Sequence, residues 1–292
     1  MNILRHSRAI FFIGIILGIL LPQGARFLTK AIVPILIIMM TFSLKTAYFH
    51  GISHLKKRQM IVLIALNMIL FSGLLLIAAF FFVDNPDYQS AFFILAMMPP
   101  AIGVISMVFL LKADIEQAFA TELVSYLIAL VSVPLLSKAL FGSSVGLWEI
   151  SKIVLLVILL PFVLAKLLQF IERKTIIKMP WEREVINLCY ALAFYTIIGV
   201  NADILFSDWR TVLIIFAIFV VIEFGLMFLL YFATRHDKDS ALYVIFGTFK
   251  NGGAAMAITI LLIGTQATLP FAVSALLSPL HIILIQWLYK SS

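Results

Sequence analysis

The sequence predicts an all-α membrane protein of ten transmembrane helices, built as two inverted five-helix repeats in which helices four and nine are broken and cross. Three observations predict it. The 292 residues are 63% hydrophobic and only 12% charged, whereas a soluble domain is roughly half apolar and a quarter charged. The apolar residues fall into ten runs separated by short polar punctuation. Two of these runs, at corresponding places in the two halves, are interrupted in mid-span by helix breakers.

A spanning helix needs about 20 apolar residues. The runs lie near 9–22, 27–47, 59–83, 91–111, 117–137, 150–170, 185–206, 211–234, 241–263 and 268–288. Arg5 and Arg8 precede the first, shortest run in the manner of a signal peptide. No small-residue cleavage site follows, and Pro22-Gln-Gly leads into the next span, so a retained helix is expected. With both termini in the cytoplasm, fifteen Lys and Arg residues fall in inside segments and five in outside ones, as the positive-inside rule requires. The net charge of +7 is spread between spans, not gathered in a patch with interleaved aromatics, which argues against nucleic acid. Cys189 is the only cysteine, so no disulfide or Cys/His metal spacing arises within the chain.

The longest inside loop, Ile171 to Glu184, falls near the middle. The spans divide five and five: 1–170 holds the first repeat plus the start of the second (helices 1–5 and 6), and 171–292 holds the remainder. Two five-span halves enter the membrane in opposite directions, which is the geometry of inverted-repeat transporters. The fourth span carries Met97-Met-Pro-Pro-Ala-Ile-Gly103, and the fourth of the second half carries Gly247-Thr-Phe-Lys-Asn-Gly-Gly253. Pro99 and Pro100 remove backbone donors, and Gly252 and Gly253 loosen a helix. Unwound backbone at membrane depth survives only against protein or a cavity. It presents half-helix N-termini suited to anions and free carbonyls suited to cations.

Glu122, Glu223 and Lys250 are the ionisable residues within spans. Each costs at least about 2.5 kcal/mol at mid-bilayer, so each is expected to meet a partner or a cavity. A Glu122–Lys250 pair reads as a fixed salt bridge or, alternatively, as a proton switch, and Glu223 is the alternative partner. Asn67, Asn187, Asn201 and His281 read more simply as single interhelical hydrogen bonds.

Several of these stretches together resemble the bile acid–sodium symporter family over nearly the whole length. They are Leu21-Pro22 in the first hairpin, Met98-Pro-Pro-Ala-Ile-Gly-Val-Ile-Ser through Lys112-Ala-Asp114, the Ser125 to Leu136 stretch, and above all Phe246-Gly-Thr-Phe-Lys-Asn-Gly-Gly-Ala-Ala-Met-Ala257. The resemblance implies panel helices near 9–47 and 150–206, core helices near 59–137 and 211–288, and a crossover site. The site residues it points to are Lys250, Asn251, Glu122, Asn67, Pro99, Pro100, Gly252 and Thr248. It also implies two sodium sites, which this chain has largely lost. Val104-Ile105 stands where the family has a Ser-Asn pair, Phe246 where it has a Glu, Ala118 and Glu122 where it has hydroxyls, and Lys250 where it has a Gln. No bound metal or cofactor is therefore expected.

The resemblance implies secondary transport of a small organic anion across a cell membrane, not coupled to sodium in the family's usual way. A proton-linked or uncoupled carrier similar to auxin-efflux-type proteins is the alternative. Lys250, ringed by Met97, Met98, Phe246 and Phe249, is expected to favour an amphipathic carboxylate or sulfonate. Gly142-Ser-Ser-Val-Gly146 fits the G-x-S-x-G pattern of hydrolases, with His281 as a conceivable base. That pattern needs a strand–turn–helix elbow, whereas here it joins two spans, so no enzyme is expected. A receptor or scaffold is not expected, because these spans carry no soluble domain between them to transmit a signal.

Overall fold

The computed structural model describes residues 7–46, 55–101, 103–141, 147–174 and 181–290. Among them every regular element is helical and there is no strand. Hydrocarbon offers no partner to a backbone N–H or C=O, so an apolar chain closes these groups within helices. Eight helices are long and apolar enough to cross a bilayer: Pro22–Lys45, Lys57–Phe82, Ile115–Lys138, Ser151–Lys174, Glu182–Val200, Trp209–Thr234, Ser240–Leu262 and Thr265–Tyr289. Their outer faces stay apolar, with Phe81 and Val221 each 70% exposed. This is an all-α, multi-pass membrane protein.

Two of the ten runs read from the sequence are not among the eight. The run at 9–22 forms α1 (Ser7–Leu20), only 14 residues long. It ends where Leu21 leaves helical geometry and Pro22 opens α2 (Pro22–Leu28), which continues through a 3-10 turn into α3 (Ile32–Thr46). The second span therefore starts earlier than the hydropathy suggests. The run at 91–111 is split into α6 (Pro86–Met97) and α7 (Val104–Leu110). Met98 is extended (φ −73°, ψ 148°), because a proline ring disfavours helical geometry in the residue before it.

Helix α11 (Glu182–Val200) packs along α1, α2 and α3, and α10 (Leu160–Lys174) packs on α3. Small residues permit the approach of α1 to α11. A Cβ on Gly14 would lie 2.7 Å from the Ala191 carbonyl oxygen, and one on Gly18 2.9 Å from the Ile198 Cβ. The Gly14-x-x-x-Gly18 spacing puts both on one face, the usual device where lipid supplies no hydrophobic drive. Three of the spans run through π-helical turns. Leu66–Phe71 joins α4 (Lys57–Ala65) to α5 (Ser72–Phe82). Leu155–Leu159 joins α9 (Leu147–Val154) to α10. Val220–Phe224 joins α13 (Trp209–Phe219) to α14 (Gly225–Thr234).

Charged residues tie the helix ends. Lys45 on α3 meets Glu172 (2.5 Å) and Glu182. Lys56, just before α4, meets Asp239, which also accepts from Gln59 (3.1 Å) at the start of α15 (Ser240–Thr248). Burial pushes the Asp239 carboxyl up, but hydrogen bonds from Lys56 and Gln59 outweigh this and hold it below its ordinary value. The bond to Asp239 outweighs desolvation at Lys56 and raises its ammonium. The carboxylate's contribution is thus present above its unfolded value of 3.8 and fades as pH falls through the lower folded one. That of Lys56 is complete below 10.5 and fades only as pH rises through the higher folded value. Between these limits the link is intact. Amide exchange at the first turns of α4 and α15, taken relative to the intrinsic rate at each pH, is expected to rise several-fold below about pH 4. Asp239→Asn should raise it already at pH 7 and remove the acid dependence. A wild-type profile flat down to pH 3 would refute the link.

Candidate functional site

Both helix breaks anticipated from the sequence are present, and they touch. Phe249 is extended (φ −110°, ψ 130°), which separates α15 from α16 (Gly252–Leu262). The Asn251 backbone N–H donates to the Pro99 carbonyl at 2.9 Å, joining the breaks directly. The Asn251 side chain finishes the junction. Its Oδ1 accepts from the Ala254 N–H (2.9 Å) and caps α16. Its Nδ2 donates to the Tyr126 hydroxyl (2.5 Å) on α8 (Ile115–Phe141). Tyr126 in turn donates to the Pro100 carbonyl (3.2 Å). The first break leaves the carbonyls of Pro99 and Pro100 without helical partners; Asn251 of the other break takes up one and Tyr126 of α8 the other.

Lys250 has the most polar surroundings of the site. Its ammonium lies 2.8 Å from Ser72 Oγ, 2.8 Å from the Met98 carbonyl, 3.0 Å from Asn67 Oδ1 and 3.0 Å from the Ala96 carbonyl. Four neutral oxygens thus surround one cation that has three N–H donors. Asn67 is placed to do more. Its Nδ2 donates to the carbonyls of Phe246 (2.7 Å) and Phe249 (2.8 Å), holding the end of α15.

Ser72 was not visible in the sequence as part of this site. It stands five residues after Asn67, about 140° away around an ordinary α-helix. The π-helical turn Leu66–Phe71 closes i→i+5 contacts, and Ser72 Oγ lies 3.1 Å from the Asn67 carbonyl. Tyr126 went unrecognised for a different reason: 26 residues separate it from Pro100, and only the fold joins them.

The acids part from the anticipated pairing. None of the ion pairs among the described residues involves Lys250. Lys250 therefore joins neither Glu122 nor Glu223, because four oxygens from the third span and the broken fourth span already use its donors. This removes the motive for a Glu122–Lys250 proton switch. It also leaves Lys250 without a donor to hold an anion directly. Glu122 is 3% exposed, and neither carboxylate oxygen has a hydrogen-bond partner among the described residues. It lies within electrostatic reach of Tyr126 and of Tyr190 on α11. Glu223 instead faces His281, at 3.8 Å. Thr248 turns away from the site and donates to the Val244 carbonyl of its own helix (2.8 Å). A Cβ built on Gly252 would meet no atom of the described residues within 4 Å, which leaves open space among them beside the first turn of α16.

Nor do the residues fit a resident sodium ion. Phe246 and Ala118 offer no side-chain oxygen at the positions named for it, and an ammonium occupies the four-oxygen cradle. The Gly142–Gly146 stretch lies outside the described residues. Among those described, no group of three His, Cys, Asp or Glu is placed to hold a metal. Compared with known protein families and with curated proteins, the chain matches none. The fold and site therefore define it at the level of a membrane protein whose two interrupted helices meet at a half-buried lysine.

Proposed function

We propose that this chain is a secondary carrier of a small organic anion, working by alternating access and not driven by sodium. One observation carries the reading: a lysine ammonium sits where two broken helices meet, among oxygens that would otherwise suit a mobile cation. A tethered cation cannot dissociate, so it cannot couple a sodium gradient. It still leaves a positive charge at the junction without a paired carboxylate, which suits an anionic solute in the open space beside Gly252. The α16 N-terminus adds to that potential.

The architecture in this proposal has ten helices. Counting α1 and the split α6–α7 with the eight spans gives that number. Paired breaks in spans four and nine, and π-helical turns in spans three and eight, support two inverted five-helix repeats. The resemblance to the bile acid–sodium symporter family, a cell-membrane location and cytoplasmic termini belong to the same proposal. A proton-linked carrier is the second reading, favoured by the buried Glu223–His281 pair.

The test is uptake into liposomes of amphipathic carboxylates and sulfonates, under sodium and proton gradients separately. Uptake is expected to be indifferent to sodium, and a saturable rise with sodium at constant ionic strength would overturn the reading. Gly252→Val should abolish uptake while leaving the thermal midpoint in place, because it fills open space. Uptake unchanged in that variant would remove the solute from this position.

A further inference from the structure

We propose that Glu223 and His281 form a buried proton-exchange site, linked to the break in the ninth span through Phe249. Glu223 lies on the π-helical turn Val220–Phe224, a kind of turn that recurs at functional sites. His281 lies on α17 (Leu269–Lys290), two residues after a proline inside that helix. His281 Nδ1 is 3.8 Å from Glu223 Oε2, and the side chains are 2% and 10% exposed respectively. The imidazole stacks on the Phe249 ring (centroids 4.5 Å apart, planes 11° apart) and lies against Phe224 (5.3 Å). Its Nε2 is buried without a hydrogen-bond partner among the described residues.

An imidazole has no packing reason to be chosen over a phenyl ring in such a place. Its distinctive property is that it gains and loses a proton near neutral pH. The pair has two arrangements with no net charge: acid beside neutral imidazole, or carboxylate beside imidazolium. A shift of about 1 Å brings the nitrogen and oxygen into hydrogen-bond range. A proton reaches the pair by way of Glu223, the more exposed member, and passes to the imidazole. There the two flanking rings favour the cation. Phe249 immediately precedes Lys250, and its carbonyl is one of those held by Asn67. A displacement of the Phe249 ring as the imidazole moves toward Glu223 is therefore transmitted to the lysine cradle.

Among the described residues, no ion pair other than their own involves either group. On the eighth span, Arg210 and Tyr231 are 13 and 8 residues from Glu223, about 20 and 12 Å along the helix. On α17, Tyr289 is 8 residues from His281. From the helices packed on α17, α6 brings Asp87 and Tyr88 at its first turn. The α11 helix brings Tyr190, which lies by Glu122, and Tyr195, which bonds the Leu21 carbonyl. The Lys250 ammonium points into its own cradle.

The site stands on this geometry alone. Its use in coupling rests on the carrier reading. The test is nitrogen-15 NMR of the histidine side chains in the whole protein in lipid nanodiscs, titrated from about pH 5 to 9 around the ordinary imidazole value. His281→Gln identifies the signal among five histidines. His281 is expected to titrate reversibly within the range. Glu223→Gln should lower its proton affinity at least tenfold, about one pH unit. Glu223→Asp, which keeps the charge one methylene further back, should shift it less in the same direction and serves if the first variant does not fold. A His281 that stays in one form throughout, or that titrates identically in both variants, would overturn the proposal. No solute enters this experiment, so failure of the site and failure of the carrier reading are read separately.

Discussion

Lys250→Ala is expected to abolish uptake and to destabilise the protein by roughly 3–5 kcal/mol, the usual consequence of removing one partner from a buried charge-assisted cluster. The loss falls on four oxygens at once. Asn67 Oδ1, Ser72 Oγ and the carbonyls of Ala96 and Met98 all face the ammonium. Two of them are backbone atoms of the broken fourth span, so this span and the third come apart from the ninth together. The thermal midpoint in detergent is the direct measurement. Methylammonium, which restores the missing cation as a free molecule, should recover part of the lost stability. Lys250→Arg should not restore it, since a planar fork of donors does not converge on one point as an ammonium does. An alanine variant as stable as the wild type would mean that the cradle contributes nothing to the junction.

Glu122→Met is expected to act in the opposite direction, raising stability by roughly 1–3 kcal/mol, the cost of an unsatisfied buried polar group. Glu122 is 3% exposed and both its oxygens lack a hydrogen-bond partner among the described residues. An apolar side chain of similar length keeps the packing and removes that cost. If uptake falls while the thermal midpoint rises, the carboxyl is retained for function at the expense of stability, as polar groups within spans commonly are. A midpoint that falls would show that the carboxyl has a stabilising partner.

The helix breaks were legible because prolines and glycines act locally. Pro99 and Pro100 disrupt a helix whatever surrounds them, and the break between Thr248 and Gly252 needs only an Asn-Gly-Gly sequence. The short α1 was legible in the same way, from a run of apolar residues ended by Leu21-Pro22. Lys250, Asn251 and Asn67 were recognised by type and place. Their partners were not. Lys250 was expected to meet a carboxylate, because charge pairing is the simplest rule for a buried ammonium. It meets four neutral oxygens instead, two of them carbonyls released by the prolines some 150 residues earlier in the chain.

By itself the sequence determined a helical membrane protein, the approximate positions of its eight long apolar helices and the two places where helices fail. Each follows from solvent and local backbone: hydrocarbon compels helices, and proline and glycine interrupt them whatever the neighbouring helix. Only the tertiary structure decided that Asn67 and Ser72 share a face, that Tyr126 closes the junction, and that Glu223 belongs with His281 and not with Lys250. The first depends on a π-helical turn that shifts the helical register and leaves no periodic mark. The others depend on which helices lie side by side. In a chain where nearly every helix face is apolar, hydropathy says that a residue is within the membrane but not which neighbour it meets there.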